Sequence, residues 1–254
     1  MGSSKRGRLR RGIYLLPTLF TVGNIFCGFW SLVLIFRGNL ELAAILIIVA
    51  GVLDGMDGRI ARLTGTTSPF GLEFDSIADM VSFGVAPAML AYVWALSALG
   101  RTGLLLSFLF AVCVAMRLAR FNIQASMADK RFFAGLPCPS AGAYLACVAF
   151  AFPTPVDTRP VAIMVAALVC CLGLLMISRL RYYSFKDFDL RSRRSYIYVL
   201  PLAAVIVAIS IWPQEAMLLV GSAYLISAPT YYLWSLFSRK RTREAEVADE
   251  PLLR

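Results

Sequence analysis

Long apolar runs, each of about 20 residues, recur along the whole sequence and are separated by short polar breaks. A run of this length matches the hydrocarbon core of a bilayer, where a helix satisfies its own backbone hydrogen bonds. We count eight such runs, centred on Ile25, Val49, Pro87, Val112, Ala146, Ala167, Val205 and Ala223. The pattern predicts an all-α protein, a polytopic membrane helix bundle with about eight transmembrane helices.

The composition agrees with this fold class. Hydrophobic residues make up 59% of the 254 residues and charged residues only 16%, whereas a soluble domain has about 25% charged residues. Histidine is absent, which excludes histidine general bases, histidine–metal sites and Ser-His-Asp triads. The six cysteines lie in or at the start of apolar runs without metal-ligand spacing, so we expect reduced cysteines that serve in packing.

The basic residues predict the orientation in the membrane. Only three of the 25 Lys and Arg residues, Arg37, Arg101 and Arg159, fall on one side of an eight-span topology. The positive-inside rule makes the opposite side, with both termini, cytoplasmic. We therefore expect an integral protein of the cell (inner) membrane, in contact with anionic lipids. No basic and aromatic surface motif stands outside the runs, so we expect no nucleic-acid partner despite the net charge of +10.

Four aspartates stand where the second apolar run ends and the third begins: Asp54, Asp57, Asp75 and Asp79. Carboxylates inside membrane spans are costly and are functional candidates by default. Because the members of each pair are three or four residues apart, each pair lies on one face of a helix. The second span ends and the third begins on the cytoplasmic side, so the two pairs are predicted to meet at one depth.

Converging carboxylates repel one another and lose hydration, so divalent cations are the natural counter-charge. Oxygen ligands without histidine or cysteine suit Mg²⁺ or Mn²⁺ rather than zinc. A set of salt bridges, such as Asp57 with Arg62, is the structural alternative, but isolated ion pairs do not need four acids in a membrane. A divalent-cation transporter is a functional alternative, and it needs acids along a path across the membrane, whereas the later runs hold almost none.

Eight positions around these aspartates resemble the signature of the CDP-alcohol phosphotransferases, all at their spacings: Asp54, Asp57, Gly58, Ala61, Arg62, Gly71, Asp75 and Asp79. Members of that family displace CMP from a CDP-linked donor with an alcohol. They share a six-helix core, are usually homodimers and hold two metals. The resemblance implies that the four aspartates are metal ligands and that Asp79 is also the general base on the acceptor hydroxyl.

The same resemblance implies a binding site for the CDP-linked donor. Arg62 would meet the diphosphate, Gly58 and Ala61 would border the cytidine, and Gly71 lies beside the carboxylates. Asn24 in the first span is costly unless it is hydrogen-bonded. Its partner is either the cytosine of the donor or a neighbouring helix, and both interpretations stay open.

Three further segments resemble the membrane-embedded phosphatidylserine synthases of that family: Pro17-Thr18 with residues 24–28, residues 117–122 with 133–139, and residues 183–188. This implies CDP-diacylglycerol and L-serine as substrates. The residues expected at serine are Arg117, Arg120, Asn122 and Lys186, because a guanidinium binds a carboxylate well. Topology alone also explains the arginines, and a lysine such as Lys186 is more often an anchor for lipid headgroups than a substrate contact. Glycerol phosphate, inositol phosphate and choline stay open as acceptors.

The sequence divides into three parts on this interpretation: a basic cytoplasmic N-terminal segment over residues 1–12, a transmembrane catalytic domain over 13–238, and a disordered cytoplasmic tail over 239–254. Between the fourth and fifth spans, Gly135-Leu136-Pro137 predicts a rigid turn. After the sixth span, aromatic and charged residues over 182–195 predict a segment at the membrane interface.

Overall fold

The structure, a computed structural model, describes residues 3–65, 68–125, 133–178, 181–182, 203–204, 207–227 and 230. The account below concerns these residues. Several predictions fall outside them: the tail over residues 239–254, the centre of the seventh run at Val205, Lys186, and most of the interfacial segment over 182–195.

The described chain is almost entirely helical. Its α-helices are α1 (Ser3–Phe36), α2 (Leu40–Thr64), α3 (Pro69–Asp79), α4 (Ala86–Trp94), α5 (Arg101–Ala125), α6 (Cys138–Ala151) and α7 (Arg159–Ile177). A π-helical segment (Met80–Val85) joins α3 to α4, and a 3₁₀ turn (Leu96–Leu99) precedes α5. Residues 207–211 and 213–227 are also helical. The predicted all-α class is confirmed.

The helix boundaries follow from local sequence. Gly38 adopts φ 76°, which glycine does without a steric penalty, and the side-chain oxygen of Asn39 accepts the N–H of Leu42 at 3.2 Å as α2 begins. Ser68 caps α3 by accepting the N–H of Gly71 at 3.0 Å, and Pro69 takes the first helical position. A glycine turn therefore separates α1 from α2, and a serine cap begins α3.

Four continuous helical stretches of the described residues are long and apolar enough to cross a membrane: Pro17–Phe36, Pro69–Trp94 (α3, the π-helical segment and α4), Arg101–Ile123 and Arg159–Ile177. They correspond to the first, third, fourth and sixth predicted spans, and the chain is an integral membrane protein. α6 is apolar but has only 14 residues, and α2 carries acidic residues in its second half. For the remaining runs, the total of eight spans stays a prediction.

Glycines let the π-helical segment sit deep in the bundle. A Cβ on Gly28 of α1 would lie 2.8 Å from the Cα of Ser82, and one on Gly142 of α6 would lie 2.9 Å from the Cα of Phe83. Ser82 donates its hydroxyl to the Asn24 carbonyl at 2.9 Å. The segment that follows Asp79 is thus held between α1 and α6 at backbone contact distance.

Two short strands bring the later loops together. Phe133–Ala134 pairs antiparallel with Arg181–Tyr182, so the segment before α6 lies beside the segment after α7. Gly135 follows with φ 90°, and the Leu136 N–H donates to the Leu175 carbonyl at 3.1 Å. A Cβ at Gly135 would collide with the Met176 carbonyl. The chain therefore turns at Gly135 before α6, where the sequence predicts a turn.

Candidate active site

Three of the four aspartates form a compact group, which we call the three-aspartate cluster: Asp54 and Asp57 from α2 and Asp75 from α3. Each offers one carboxylate oxygen, and these oxygens all lie within 4.8 Å of one another. The link of residues 65–68 between α2 and α3 is short, so the end of one helix lies close to the start of the next. The helical spacing of three and the short link therefore produce the convergence.

Asp79 lies one helical turn further along α3 than Asp75 and outside this cluster. It is 7% exposed, and the Asn24 side-chain amide of α1 donates to its Oδ1 at 3.3 Å. The charges of Asp54, Asp57 and Asp75 all act on it. The Asn24 amide nitrogen thus bonds to a neighbouring helix, while its buried Oδ1 has no partner in the described structure, so the predicted contact with the donor stays a prediction.

α1 also supplies a second hydrogen bond to the site, which the sequence analysis missed. The Thr21 hydroxyl lies 3.0 Å from Oδ2 of Asp57, closer than its other acceptor, the Pro17 carbonyl at 3.2 Å. Thr21 and Asn24 are three residues apart, so they share one face of α1. In the sequence, these are two polar residues at helical spacing inside an apolar run, and this pattern could have indicated that both face the site.

The three-aspartate cluster fits a divalent cation. Oδ1 of Asp75 is buried without a hydrogen-bond partner in the described structure, and a buried polar atom of this kind is costly unless something binds it. The ligand atoms are all carboxylate oxygens, which Mg²⁺ and Mn²⁺ accept. Ligating carboxylates normally accept a hydrogen bond from a further residue, and Thr21 gives one to Asp57.

The predicted donor-binding residues are only partly described. Gly58 lies on α2 next to Asp57 and is partly exposed. Gly71 lies in the first turn of α3, where its N–H is used by the Ser68 cap. The side chains of Ala61 and Arg62 lie outside the described residues, so their contacts with a donor stay a prediction.

Arg117, the first of the predicted serine ligands, points into the bundle. It is 9% exposed, although it lies near the end of α5. Its Nη1 donates to the Cys138 Sγ at 3.2 Å, and its Nε is buried without an acceptor in the described structure. Cys138 is buried in the hydrophobic core, as expected of a packing cysteine, and it also accepts this hydrogen bond.

The other two described candidates bond to protein groups. Arg120 donates to the Ile177 carbonyl at the end of α7, at 3.4 Å. The Asn122 amide nitrogen donates to Glu73 at 2.9 Å, and its oxygen accepts from Ser76 at 3.1 Å. Both polar ends of Asn122 thus connect α5 to the outer face of α3.

Comparison with known proteins agrees with this geometry. Residues 14–177, more than half of the chain, match the family described as CDP-alcohol phosphatidyltransferase. Three relatives bear the name CDP-diacylglycerol–serine O-phosphatidyltransferase. The Helicobacter pylori protein is 37% identical over 84% of this chain and 89% of its own length. The Bacillus subtilis protein is 36% identical over 67% and 91%. The Mycobacterium leprae protein is 31% identical over 90% and 78%.

Proposed function

Because the chain belongs to the CDP-alcohol phosphatidyltransferase family, we propose that it transfers the phosphatidyl group of CDP-diacylglycerol to the hydroxyl of L-serine, releasing CMP. The observation that carries the family chemistry is the convergence of Asp54, Asp57 and Asp75. The choice of serine is supported by relatives of that name at 31–37% identity. The later segments that resemble phosphatidylserine synthases support it as well.

Two divalent cations, Mg²⁺ or Mn²⁺, complete the proposed site. Asp54, Asp57 and Asp75 would hold them, with Asp79 as the fourth carboxylate at their edge. Bound cations would neutralise the charge on the donor's diphosphate, which is the chemistry that such metals supply. Four converging acids without histidine or cysteine support this assignment.

Asp79 is the proposed general base. Its burial and its hydrogen bond from Asn24 hold one carboxylate oxygen in a fixed position, and general bases need such positioning within reach of the proton they accept. The serine hydroxyl gives its proton to Asp79 as its oxygen attacks the phosphorus on the lipid side. The bond between that phosphorus and the bridging oxygen breaks, and CMP leaves. The proposed contacts of the donor are Asn24, Gly58, Ala61, Arg62 and Gly71.

Among the proposed serine ligands, Arg117 has the geometry that best supports the role. Its guanidinium is buried and incompletely bonded, whereas Arg120 and Asn122 already bond to Ile177, Glu73 and Ser76. Lys186 keeps its proposed role on sequence resemblance alone. A guanidinium is the side chain best matched to a carboxylate acceptor.

We place both termini and the site on the cytoplasmic side of the cell membrane, since the basic residues cluster there. This placement gives the site direct access to serine and a route for CMP to leave. The family resemblance supports a homodimer, and the net charge of +10 supports contact with anionic lipids.

An acceptor assay tests the proposal. The purified protein is incubated with CDP-diacylglycerol and, one at a time, serine, glycerol 3-phosphate, inositol phosphate and choline, with Mg²⁺ or Mn²⁺. We expect CMP and phosphatidylserine with serine, and loss of both on addition of EDTA. A product with another alcohol alone would replace serine as the acceptor, and turnover that survives EDTA would refute the two-metal site.

A further inference from the structure

The helix that carries Asp79 changes its winding directly after this residue. Residues Met80–Val85 form the π-helical segment, and the N–H of Ala86 donates to the carbonyl of Val81, five residues back rather than four. The chain beyond one such turn is rotated by about 100° relative to a continuous α-helix. Single π turns are rare within α-helices and occur frequently at functional sites. The segment therefore determines how the helix that ends at Asp79 is oriented relative to α4.

Asn24 of α1 is bonded at two points to this region. Its amide nitrogen donates to Oδ1 of Asp79 at 3.3 Å, and its backbone carbonyl accepts from the hydroxyl of Ser82 at 2.9 Å. Asn24 and Ser82 are fully buried, so these bonds are shielded from water and depend on exact placement of the two helices. One residue of α1 is thus joined to the proposed base by its side chain and to the π-helical segment by its backbone.

Gly28 allows Ser82 to approach α1. It lies one turn after Asn24, and a Cβ on it would collide with the Ser82 hydroxyl and lie 2.8 Å from the Ser82 Cα. On α6, a Cβ on Gly142 would lie 2.9 Å from the Cα of Phe83. Contact with the backbones of two helices leaves the segment little room to shift. The position of the Ser82 hydroxyl is therefore fixed by packing as well as by its hydrogen bond.

We propose that the π-helical segment is a positioning element for the general base. Ser82 holds the backbone of Asn24, and the Asn24 amide in turn orients the Asp79 carboxylate towards the acceptor hydroxyl. Proton transfer needs this orientation, because the accepting oxygen must lie within hydrogen-bond reach of the proton. The inference rests on the proposed function, because it presumes that Asp79 takes up the proton. Ser82 is a positioning residue, since it reaches the reacting atoms only through Asn24 and Asp79.

Ser82→Ala removes the hydroxyl that bonds Asn24 and tests the positioning role. We expect kcat at saturating CDP-diacylglycerol to fall about tenfold, because one buried hydrogen bond that orients the base is lost. The KM for serine and the Mn²⁺ concentration for half-maximal activity should change less than about twofold. A shift of the Mn²⁺ titration as large as the loss of kcat would overturn the proposal. It would show that α1 moves as a whole and disturbs the bond from Thr21 to Asp57 instead.

Ser31→Ala is the matched control for loss of stability. Ser31 is also a fully buried serine, and its hydroxyl donates to a backbone carbonyl of a neighbouring helix, that of Ala43 on α2, at 3.0 Å. Ser31→Ala should lower the thermal stability about as much as Ser82→Ala but keep kcat within about twofold of the unaltered protein. If the two variants lower kcat equally, Ser82 is a structural residue and the positioning role is refuted.

A double variant shows whether Ser82 acts through the base. In Asp79→Asn, residue 79 cannot take up the proton, so its orientation no longer affects proton transfer. Adding Ser82→Ala to Asp79→Asn should therefore lower the residual rate less than about twofold, whereas Ser82→Ala alone costs about tenfold. A further tenfold loss in the double variant would mean that Ser82 acts by another route, and the proposal would be overturned.

These experiments separate failure of the positioning role from failure of the proposed function. If another alcohol replaces serine as the acceptor, the proposed function fails, but Ser82→Ala should still lower the kcat of that transfer, and only while Asp79 is present. If serine is the acceptor and Ser82→Ala behaves like Ser31→Ala, only the positioning role is refuted. A near-normal rate of Asp79→Asn would refute both the base and the element that positions it.

Discussion

The junction of α2 with α3 and the end of α5 place polar side chains in opposite ways. At the junction, side chains from three helices converge: Asp57 and Asp75 meet in the three-aspartate cluster, and Thr21 of α1 donates to Asp57. At the end of α5, the polar groups diverge. Arg117 reaches Cys138 of α6, and Arg120 reaches the end of α7.

This difference separates residues that need a ligand from residues that hold helices together. The convergent group leaves a buried Asp75 oxygen without a partner, and among the divergent residues only Arg117 has such an atom. Asn122, by contrast, has both ends of its amide bonded to α3. We therefore expect large losses of activity when residues that need a ligand are substituted, and small losses when residues that hold helices together are substituted.

Replacing Asp79 gives the largest expected effect. Asp79→Asn keeps the size of the side chain and an oxygen that accepts from Asn24, but the amide cannot take up the serine proton. We expect kcat to fall about 1,000-fold, within the range for a lost general base, while binding of CDP-diacylglycerol stays within threefold. CMP release and equilibrium binding of the donor measure the two quantities.

Asp75→Asn is the informative comparison for Asp79, because Asp75 belongs to the three-aspartate cluster. Asp75→Asn should weaken the binding of the metal and of the donor and should also lower turnover. A near-normal rate for Asp79→Asn would remove Asp79 from proton transfer. If Asp79→Asn weakens donor binding as much as Asp75→Asn does, Asp79 acts as a metal ligand only.

Spacing along a helix explains why the convergent group could be predicted from sequence. Residues three or four apart share a face whatever the helix packs against, so Asp54 with Asp57 and Asp75 with Asp79 were predictable as pairs. The short link between α2 and α3 then leaves few ways to arrange them. The all-α membrane fold was predictable for a similar reason, since apolar length alone identifies spans.

Contacts between distant helices could not be predicted in this way. That Thr21 meets Asp57, or that Asn122 meets Glu73, depends on how α1 and α5 rotate against α2 and α3, and the spacing of residues on one helix does not determine this. The sequence predicts only a packing role for Cys138, because a cysteine in an apolar run usually has that role. Its contact with Arg117 depends on the turn at Gly135, which directs the start of α6 towards α5.

Thr21 tests whether the support from α1 matters to the convergent group. Thr21→Val keeps the shape but leaves an Asp57 oxygen without its donor. We expect the metal concentration for half-maximal activity to rise about tenfold, as is typical when a group that bonds a metal ligand is lost. Titration of activity with Mn²⁺ measures this.

Ser31→Ala is the matched control for Thr21→Val. Ser31 is also a buried hydroxyl of α1, but it donates to the Ala43 carbonyl, away from the aspartates. It should alter stability slightly and leave the metal dependence unchanged. If the two variants shift the Mn²⁺ titration equally, the bond from Thr21 is structural and the difference between the two regions is weaker than we infer.

Asn122 gives the smallest expected effect and tests the divergent region most directly. Asn122→Ala removes two hydrogen bonds to Glu73 and Ser76 on a partly exposed surface, where each contributes about 1 kcal/mol or less. As a brace between helices, Asn122 should lower thermal stability slightly and change kcat/KM for serine less than about threefold. Glu73→Gln keeps a side-chain oxygen that accepts from Asn122, so it should change thermal stability and kcat/KM for serine even less. A tenfold rise in the KM for serine in Asn122→Ala alone would instead move Asn122 into the acceptor site beside Arg117, because loss of a brace weakens the fold without selecting one substrate.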